Sequence, residues 1–504
     1  MALQETPTIG LVELPLLGLL NEKEGSLTCE GIFPGNLPLL SKKILLANLR
    51  VAGFDARLID LRQRDHQEEY GKVTWRNTEY SKVYFGDRIQ DLDPLAHAVW
   101  GVTNNYAFQR EIACLTIKQL ASEGRPVIVG GSDAIAEPQL YLAAGATAVV
   151  LDKSGAANAP LLDFILGRTP REELSGVILA NASRQPPARV RRPLHPQDWP
   201  IPDKSIIQQC HGTHQEGLLL SGEPCKIGSV MTEIGCDRHC DFCQTPSYRL
   251  GYRAMSTEKV LQWFAAEKEA GIRTIHHHSD QFLGRILKKG GRDDIIEIMR
   301  GLREIELAIH WSNGLELKKA TLGRGIERKG RIDMAPDEEL IETLWGWDGK
   351  TGCEMAFIPA ERPVFGRENY AKLLPWQEHC RIMESIVGAG VPNILYGVII
   401  GFEDDSDEYL SRLEEAISEL HESLLAINPG INFQVRPLSL VPIPGTPQGN
   451  TVRDSGLLRI DDPSIFGNMW RPSVDTRHLG YEQIADWRVR LMRIGTPLLS
   501  AHPY

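Results

Sequence analysis

A chain of 504 residues exceeds one ordinary hydrophobic core, so two or three domains are expected. With 42% hydrophobic and 24% charged residues the composition is globular, which excludes a disordered or fibrous chain. The net charge of −11 argues against a nucleic-acid-binding surface; the nearest approach to a basic run, Arg189, Arg191 and Arg192, sits among prolines and reads as solvated linker.

In chain order, the periodicity predicts strand over 8–14, helix over 39–53 closed by Gly53, and strand over 56–61. Further strands are expected over 97–103, 126–129 and 148–151, with helices over 108–123, 138–145 and 159–166. Strands alternating with helices mean a doubly wound parallel sheet, on which ligands sit at the carboxyl ends of the strands. The apolar stretch 9–20 carries Glu13, lacks a basic leader and is too short to span a bilayer, so it reads as a buried strand running into a loop. No other segment approaches about 18 uninterrupted apolar residues. A soluble, cytoplasmic protein with no integral membrane span is therefore expected.

Pro186, Pro187, Pro193, Pro196, Pro200 and Pro202 fit neither helix nor central strand and predict an extended surface linker. From Ile227 the alternation resumes, with strands over 227–233, 274–278, 308–313, 353–358, 393–400 and 432–440. The helices between them fall over 257–270, with Ser256 as N-cap, and over 292–303, 336–345, 376–389 and 407–420. Six βα units make a partial barrel with its chemistry at the C-terminal mouth. The chain thus divides into an α/β unit over 1–182, a linker over 183–222, a barrel over 223–448 and an extension over 449–504 that carries a helix over 481–492.

Nine cysteines form no even set and suggest no disulfide framework. Cys29, Cys114, Cys210, Cys225, Cys353 and Cys380 are scattered, and Cys114 reads as core packing. Cys236, Cys240 and Cys243 instead share one loop, spaced CxxxCxxC directly after the first barrel strand. Three thiolates there can each take one iron of a [4Fe–4S] cube and leave the fourth iron open to a small chelating substrate. Structural zinc, with His239 or Cys225 as fourth ligand, is the competing reading; no second CxxC supports it.

This loop, with Phe242 before its last cysteine and Gln244-Thr245-Pro246 after it, resembles that of the radical S-adenosylmethionine superfamily. The resemblance continues along the barrel. The run from Ile275 through His276, His277, His278, Ser279, Asp280 and Gln281 to Phe282 stands where the cobalamin-linked branch tends to carry Asp-x-Phe. The stretch from Gly397 through Ile399 to Glu403 resembles a fifth-strand GxIxGxxE motif with the glutamate one place early, and Pro444-Gly445-Thr446-Pro447 a Pro-Gly-Thr-Pro signature. The first unit is similar to the B12-binding domain of that branch, through Trp100-Gly101-Val102-Thr103 and Val129-Gly130-Gly131-Ser132. It departs in having no Asp-x-His-x-x-Gly, and in carrying Asp152-Lys153-Ser154-Gly155 where a Gly-Glu-Gly-Glu-like turn is usual.

The resemblance implies three cofactors: a [4Fe–4S] cluster on Cys236, Cys240 and Cys243, S-adenosylmethionine beside Phe242, Asp280, Asn313, Glu361 and Ile399, and cobalamin along Thr103, Asn104, Gly130, Gly131 and Ser132. Asp280 could meet the S-adenosylmethionine ammonium or simply cap a helix. Asn313 and Glu361 could take its ribose hydroxyls or carboxylate. Of the three histidines, only His276 and His278 can share a strand face. Trp345 and Trp347 read as packing. The implied activity is methylation of an unactivated carbon of a small-molecule, lipid, tetrapyrrole or peptide substrate, with a flavodoxin or ferredoxin as electron donor and no nucleic acid. An oxidative cyclase or rearrangement enzyme of the same branch is the alternative. A sensor without turnover and a tRNA methylthiolase fit the motifs and charge less well.

Overall fold

The computed structural model describes residues 7–29, 37–63, 66–213, 225–363 and 372–496. Residues 214–222 of the expected linker and 497–504 of the extension lie outside them. Near-continuous apolar runs make strands buried on both faces, and the first unit is built of these. Its six-stranded sheet runs Val177–Leu179, Ala148–Val150, Val127–Gly130, Val99–Thr103, Thr8–Glu13, Asp55–Asp60. All pair in parallel except the edge strand Val177–Leu179, which was not expected and runs antiparallel. One face buries Val12, Val102, Ile112 and Val129, the other Ile9, Leu11, Leu46 and Ala56. That two-sided burial makes the sheet doubly wound.

The stretch 9–20 is not one strand and a loop. Pro15 has no N–H for a ladder and breaks the run. Leu16–Asn21 then joins a separate antiparallel sheet ordered Ser26–Cys29, Leu16–Asn21, Thr78–Phe85, Gln67–Trp75. Its last strand buries Val73 and Trp75 but leaves much of the rest exposed, a weak signal for a strand.

The proline-rich stretch is also more than extended surface linker. Asp203 caps a helix, Lys204–Cys210, by accepting from the Ile206 amide. This helix is wedged between the halves: Ile206 and Cys210 enter the core of the first sheet, while Ile207 enters that of the barrel. Beside it, Lys43 on Leu40–Val51 makes a buried ion pair across the boundary with Glu267 on Thr257–Glu269.

The barrel strands run Lys226–Val230, Thr274–His277, Ala308–Trp311, Gly352–Glu361, Asn393–Ile400, Asn432–Ser439, all parallel, with Gly212–Thr213 antiparallel at the open edge. Helices Thr257–Glu269, Gly291–Glu304, Glu338–Trp345, Trp376–Gly388 and Asp407–Ile427 cover the outside around one large core that includes Trp345. Ser256 caps the first of them, as expected. The first strand stops short of residue 233 because Ser279 Oγ takes the Thr232 and Glu233 amides. Glu233–Ile234 then pairs with Arg253–Ala254.

The extension holds helices Pro447–Asp454, Pro463–Phe466 and Tyr481–Leu491. It straps the small sheet to the barrel: Ile465 and Ala485 pack on Leu19, Val73 and Trp75, while Val452 and Val474 pack on Phe402 and Leu440. No helix among the described residues is long and apolar enough to cross a membrane.

Candidate functional site

The cysteine loop leaves the first barrel strand through Gly235. Its φ of 80° is in the left-handed region, and a Cβ there would overlap the Gly251 carbonyl. The Gly235 amide donates to Asp280 Oδ2 at 2.7 Å, which ties the loop to the end of the second strand. Asp280 is therefore no helix cap; Gln281 holds the N-cap position of the next turn. Cys236, Cys240 and Cys243 are free thiols lining one cavity of about 260 Å³, with Phe242, Asp280, Asn313 and Glu361. Among the described residues no three His, Cys, Asp or Glu side chains are close enough together to hold a single metal ion, so the three thiols share the cavity wall without converging on one point. Cys225 begins the strand at its far end, with Sγ 3.9 Å from Thr274 Oγ1, and does not join the loop.

Burial pushes the Cys236 thiol up and the Cys240 thiol up to about 12. Three thiols from one loop, lining a single cavity, are the soft donor set that an iron–sulfur group takes. The rest of the loop is clamped by charge. Arg238 donates to Glu316 through Nε and Nη2, and Gln281 Nε2 donates to the same carboxylate at 2.9 Å. Buried Lys319 donates to Asp237 Oδ1 at 2.6 Å and pairs with Glu316 at 3.0 Å.

Glu361 closes the fourth strand at a register shift, with a left-handed φ of 57°. That backbone aims a buried carboxylate into the cavity. One oxygen pairs with Lys372, and Oε2 has no partner among the described residues. Burial pushes this carboxyl up; burial also opposes the charge on Lys372, but Glu361 outweighs it and holds the ammonium above its usual range. Lys372 was missed in the sequence, where nothing separates it from any other loop lysine. Asn313 Nδ2 donates to the carbonyls of His278 at 2.8 Å and Ser279 at 3.3 Å, pinning the second and third strand ends together. Ile399 does not line this cavity. It packs beside Phe242 in an apolar cluster with Phe402.

Deeper in the barrel, His276 and His278 do share a face, with rings 5.8 Å apart. Neighbouring strands add two residues with no sequence signal: His276 Nε2 lies 2.9 Å from His310 Nδ1, and His310 Nε2 lies 3.0 Å from Glu354 Oε2. Burial pushes the His278 imidazole down to about 4.

Thr103, Asn104, Gly130, Gly131 and Ser132 gather at the carboxyl edge of the first sheet, where the Asn104 amide donates to the Gly130 carbonyl at 2.8 Å. Gly131 has a φ of 104°, and a Cβ there would overlap the Asn104 backbone. The crowding that demands glycine thus comes from the chain itself rather than from a ligand's approach. Asn104 Nδ2 donates to Tyr141 Oη at 2.7 Å, and Arg110 holds Asp133 through two nitrogens. This edge faces the cysteine loop directly. The Ser132 carbonyl accepts from Gln244 Nε2 at 2.8 Å, and its hydroxyl lies 2.9 Å from both Tyr248 Oη and Lys153 Nζ. Burial lowers the Lys153 ammonium against the pull of Asp280 across the gap. Tyr106 stands here too and is exposed.

No protein-family model matches the chain, and no curated protein does. Solved structures do. The radical S-adenosylmethionine methyltransferase TsrM from Kitasatospora setae, with cobalamin and a [4Fe–4S] cluster bound, superposes with a TM-score of 0.57 at 14% identity, over 89% of this chain and 78% of that one. TsrM with tryptophan substrate and a S-adenosylmethionine analogue bound gives 0.59 at 13% identity, over 96% and 89%. The cobalamin-dependent S-adenosylmethionine radical enzyme OxsB, with aqua-cobalamin and S-adenosylmethionine bound, gives 0.65 at 17% identity over 96% of this chain. This chain spans 66% of the length of OxsB. At such identities the likeness is one of fold. The chain has the fold of cobalamin-dependent radical S-adenosylmethionine enzymes, a doubly wound sheet followed by a curled half-barrel.

Proposed function

We propose that this chain is a cobalamin-dependent radical S-adenosylmethionine enzyme that methylates an unactivated carbon of its substrate. The observation that carries the reading is the gathering of three half-buried thiols, Asp280, Asn313 and Glu361 around one cavity at the barrel mouth. Cys236, Cys240 and Cys243 would hold the [4Fe–4S] cluster, and the edge from Thr103 to Ser132 would hold cobalamin. When bound, the cluster supplies the electron that cleaves S-adenosylmethionine to a carbon radical, and cobalamin carries the methyl group.

The chain's own side chains orient and shield. Glu361 Oε2, buried and without a partner among the described residues, would accept from the ammonium or ribose hydroxyls of S-adenosylmethionine. Asp280 keeps the cysteine loop in register through the Gly235 amide. Phe242 lines one wall and is backed by Phe402, edge to face with ring centroids 6.3 Å apart. The unit over 1–182 would present the methyl carrier to the barrel over 223–448.

Anaerobic purification with iron, sulfide and corrinoid quantified tests the cofactors: about four irons and one corrinoid per chain are expected. C236A, C240A and C243A should each abolish the cluster's visible absorbance, and retention of it in all three would refute the assignment. Product mass then separates methyl transfer, which adds one methylene per turnover, from a cyclase or rearrangement, which does not.

A further inference from the structure

A second basic stretch lies within the barrel, and the fold gives it a position. Between residues 318 and 331 stand six cations, Lys318, Lys319, Arg324, Arg328, Lys329 and Arg331, against one anion, Glu327, in a chain whose net charge is −11. This segment is a hairpin-like excursion from the carboxyl end of the third barrel strand. Leu322 and Gly323 pair back to Ala335 and Asp333, and Arg328 and Arg331 exchange backbone hydrogen bonds across the tip. Lys329 and Gly330 have φ of 53° and 73°, the two left-handed residues of a tight hairpin turn. The turn presents Arg328, Lys329 and Arg331 to solvent. All three are exposed, and among the described residues none makes an ion pair.

The base of the same excursion is built into the cysteine loop. Lys319 and Glu316 clasp Asp237 and Arg238. Gly325 sits so close to Arg238 that a Cβ would lie 3.6 Å from Nη2, and the Arg238 amide approaches Cys236 Sγ at 3.4 Å. Arg238 alone therefore stands between Gly325, at the base of the excursion, and a cysteine sulfur. The site reading above requires one electron from outside for each cleavage, and the six other cysteines are scattered through the sequence, forming no second cluster motif to relay it.

We infer that the basic excursion over 318–331 is the docking surface for a small acidic electron-transfer protein, which it orients against the cysteine loop. The inference rests on the function proposed above. The donor loses one electron and the centre held by Cys236, Cys240 and Cys243 gains it; no other bond changes. Charge complementarity selects the partner. A molecule with net charge −11 repels an acidic protein over most of its surface, so one local inversion of sign fixes where such a protein lands. A nucleic acid is the other polyanion to consider. It is disfavoured because the cations sit on one hairpin rather than along a groove, and because that hairpin is joined to the redox loop.

The test uses the full chain reconstituted with iron and sulfide, and the triple variant R328E/K329E/R331E, with R328Q/K329Q/R331Q as the milder change. The probe is an acidic flavodoxin kept reduced by its reductase, with dithionite as the control reductant. With flavodoxin, S-adenosylmethionine cleavage by the Glu variant should fall about tenfold or more, and by the Gln variant less. Flavodoxin binding, followed by titration without turnover, should weaken in the same order, and wild-type binding should weaken as salt is raised. Dithionite-driven cleavage and iron content should equal wild type in both variants. Unchanged flavodoxin-driven rate and affinity in the Glu variant would overturn the docking surface, as would loss of single-stranded RNA binding with the flavodoxin rate intact. Failure of the wild type to cleave S-adenosylmethionine even with dithionite would instead sink the function on which the inference rests.

Discussion

Glu361 concentrates several unusual conditions in one residue: left-handed backbone, a buried carboxylate, and one oxygen without a partner among the described residues. A glutamate kept in that state is placed for a ligand. E361Q preserves shape but removes the charge, and S-adenosylmethionine affinity of the reconstituted protein should fall about tenfold or more, as for loss of a charged hydrogen bond. Equilibrium dialysis measures this directly, and unchanged affinity would remove Glu361 from the site. His379 offers a residue-scale test of burial. Its Nε2 lies 2.8 Å from Tyr396 Oη, and burial pushes its imidazole down to about 4. A base whose pKa is depressed in the fold stabilises above its unfolded value near 6.5 and loses that contribution as pH falls toward 4. Between pH 7 and pH 5 the wild type should lose about 2 kcal/mol through this residue. Urea unfolding of H379Q should show a correspondingly shallower decline.

At the scale of elements, the helix Lys204–Cys210 and the Lys43–Glu267 pair make the boundary between the two halves a packed core. Glu267 accepts from Lys43 Nζ and, at 3.0 Å, from Trp263 Nε1. K43M leaves this carboxylate buried and short of its cation, at an expected loss of about 3–5 kcal/mol. The double variant K43M/E267M should recover most of it, since an apolar pair of similar volume needs no desolvation of charge. Chemical denaturation of the apo chain measures both, and a double variant no better than the single would discount the ion-pair account. Elements were legible from sequence where apolar spacing was strong: all six barrel strands and five strands of the first sheet fall where periodicity puts them. Gln67–Trp75 and Thr78–Phe85 were not legible, because much of the first is exposed and the partner that buries Trp75 is nearly 400 positions away: Trp75 Nε1 donates to the Pro472 carbonyl. The linker helix was hidden for the opposite reason, since prolines before it mask a short buried segment.

Across the whole molecule, the three thiols that share the cavity wall could be picked out in advance because they are neighbours in sequence. Lys372, His310 and Glu354 could not, because strand order alone brings them to the mouth and interior. The extension acts on this largest scale, strapping the small sheet to the barrel through Trp75, whose ring also lies beneath Arg471 at 4.7 Å. W75A should cost about 3–5 kcal/mol, as large aromatic truncations do. Hydrogen exchange should then rise first in Pro463–Phe466 and Tyr481–Leu491 while the barrel helices stay protected, and uniform loosening would contradict the strap.

Ser132 has a consequence of its own. Its carbonyl and hydroxyl hold Gln244 and Tyr248, so the rim that would seat a corrinoid is joined to the segment that follows the third thiol. Whatever reshapes that segment alters the seat, and whatever fills the seat pulls on the segment. Thermodynamic reciprocity then sets the terms: if iron and sulfide change corrinoid affinity by some factor, corrinoid changes the hold on iron by the same factor.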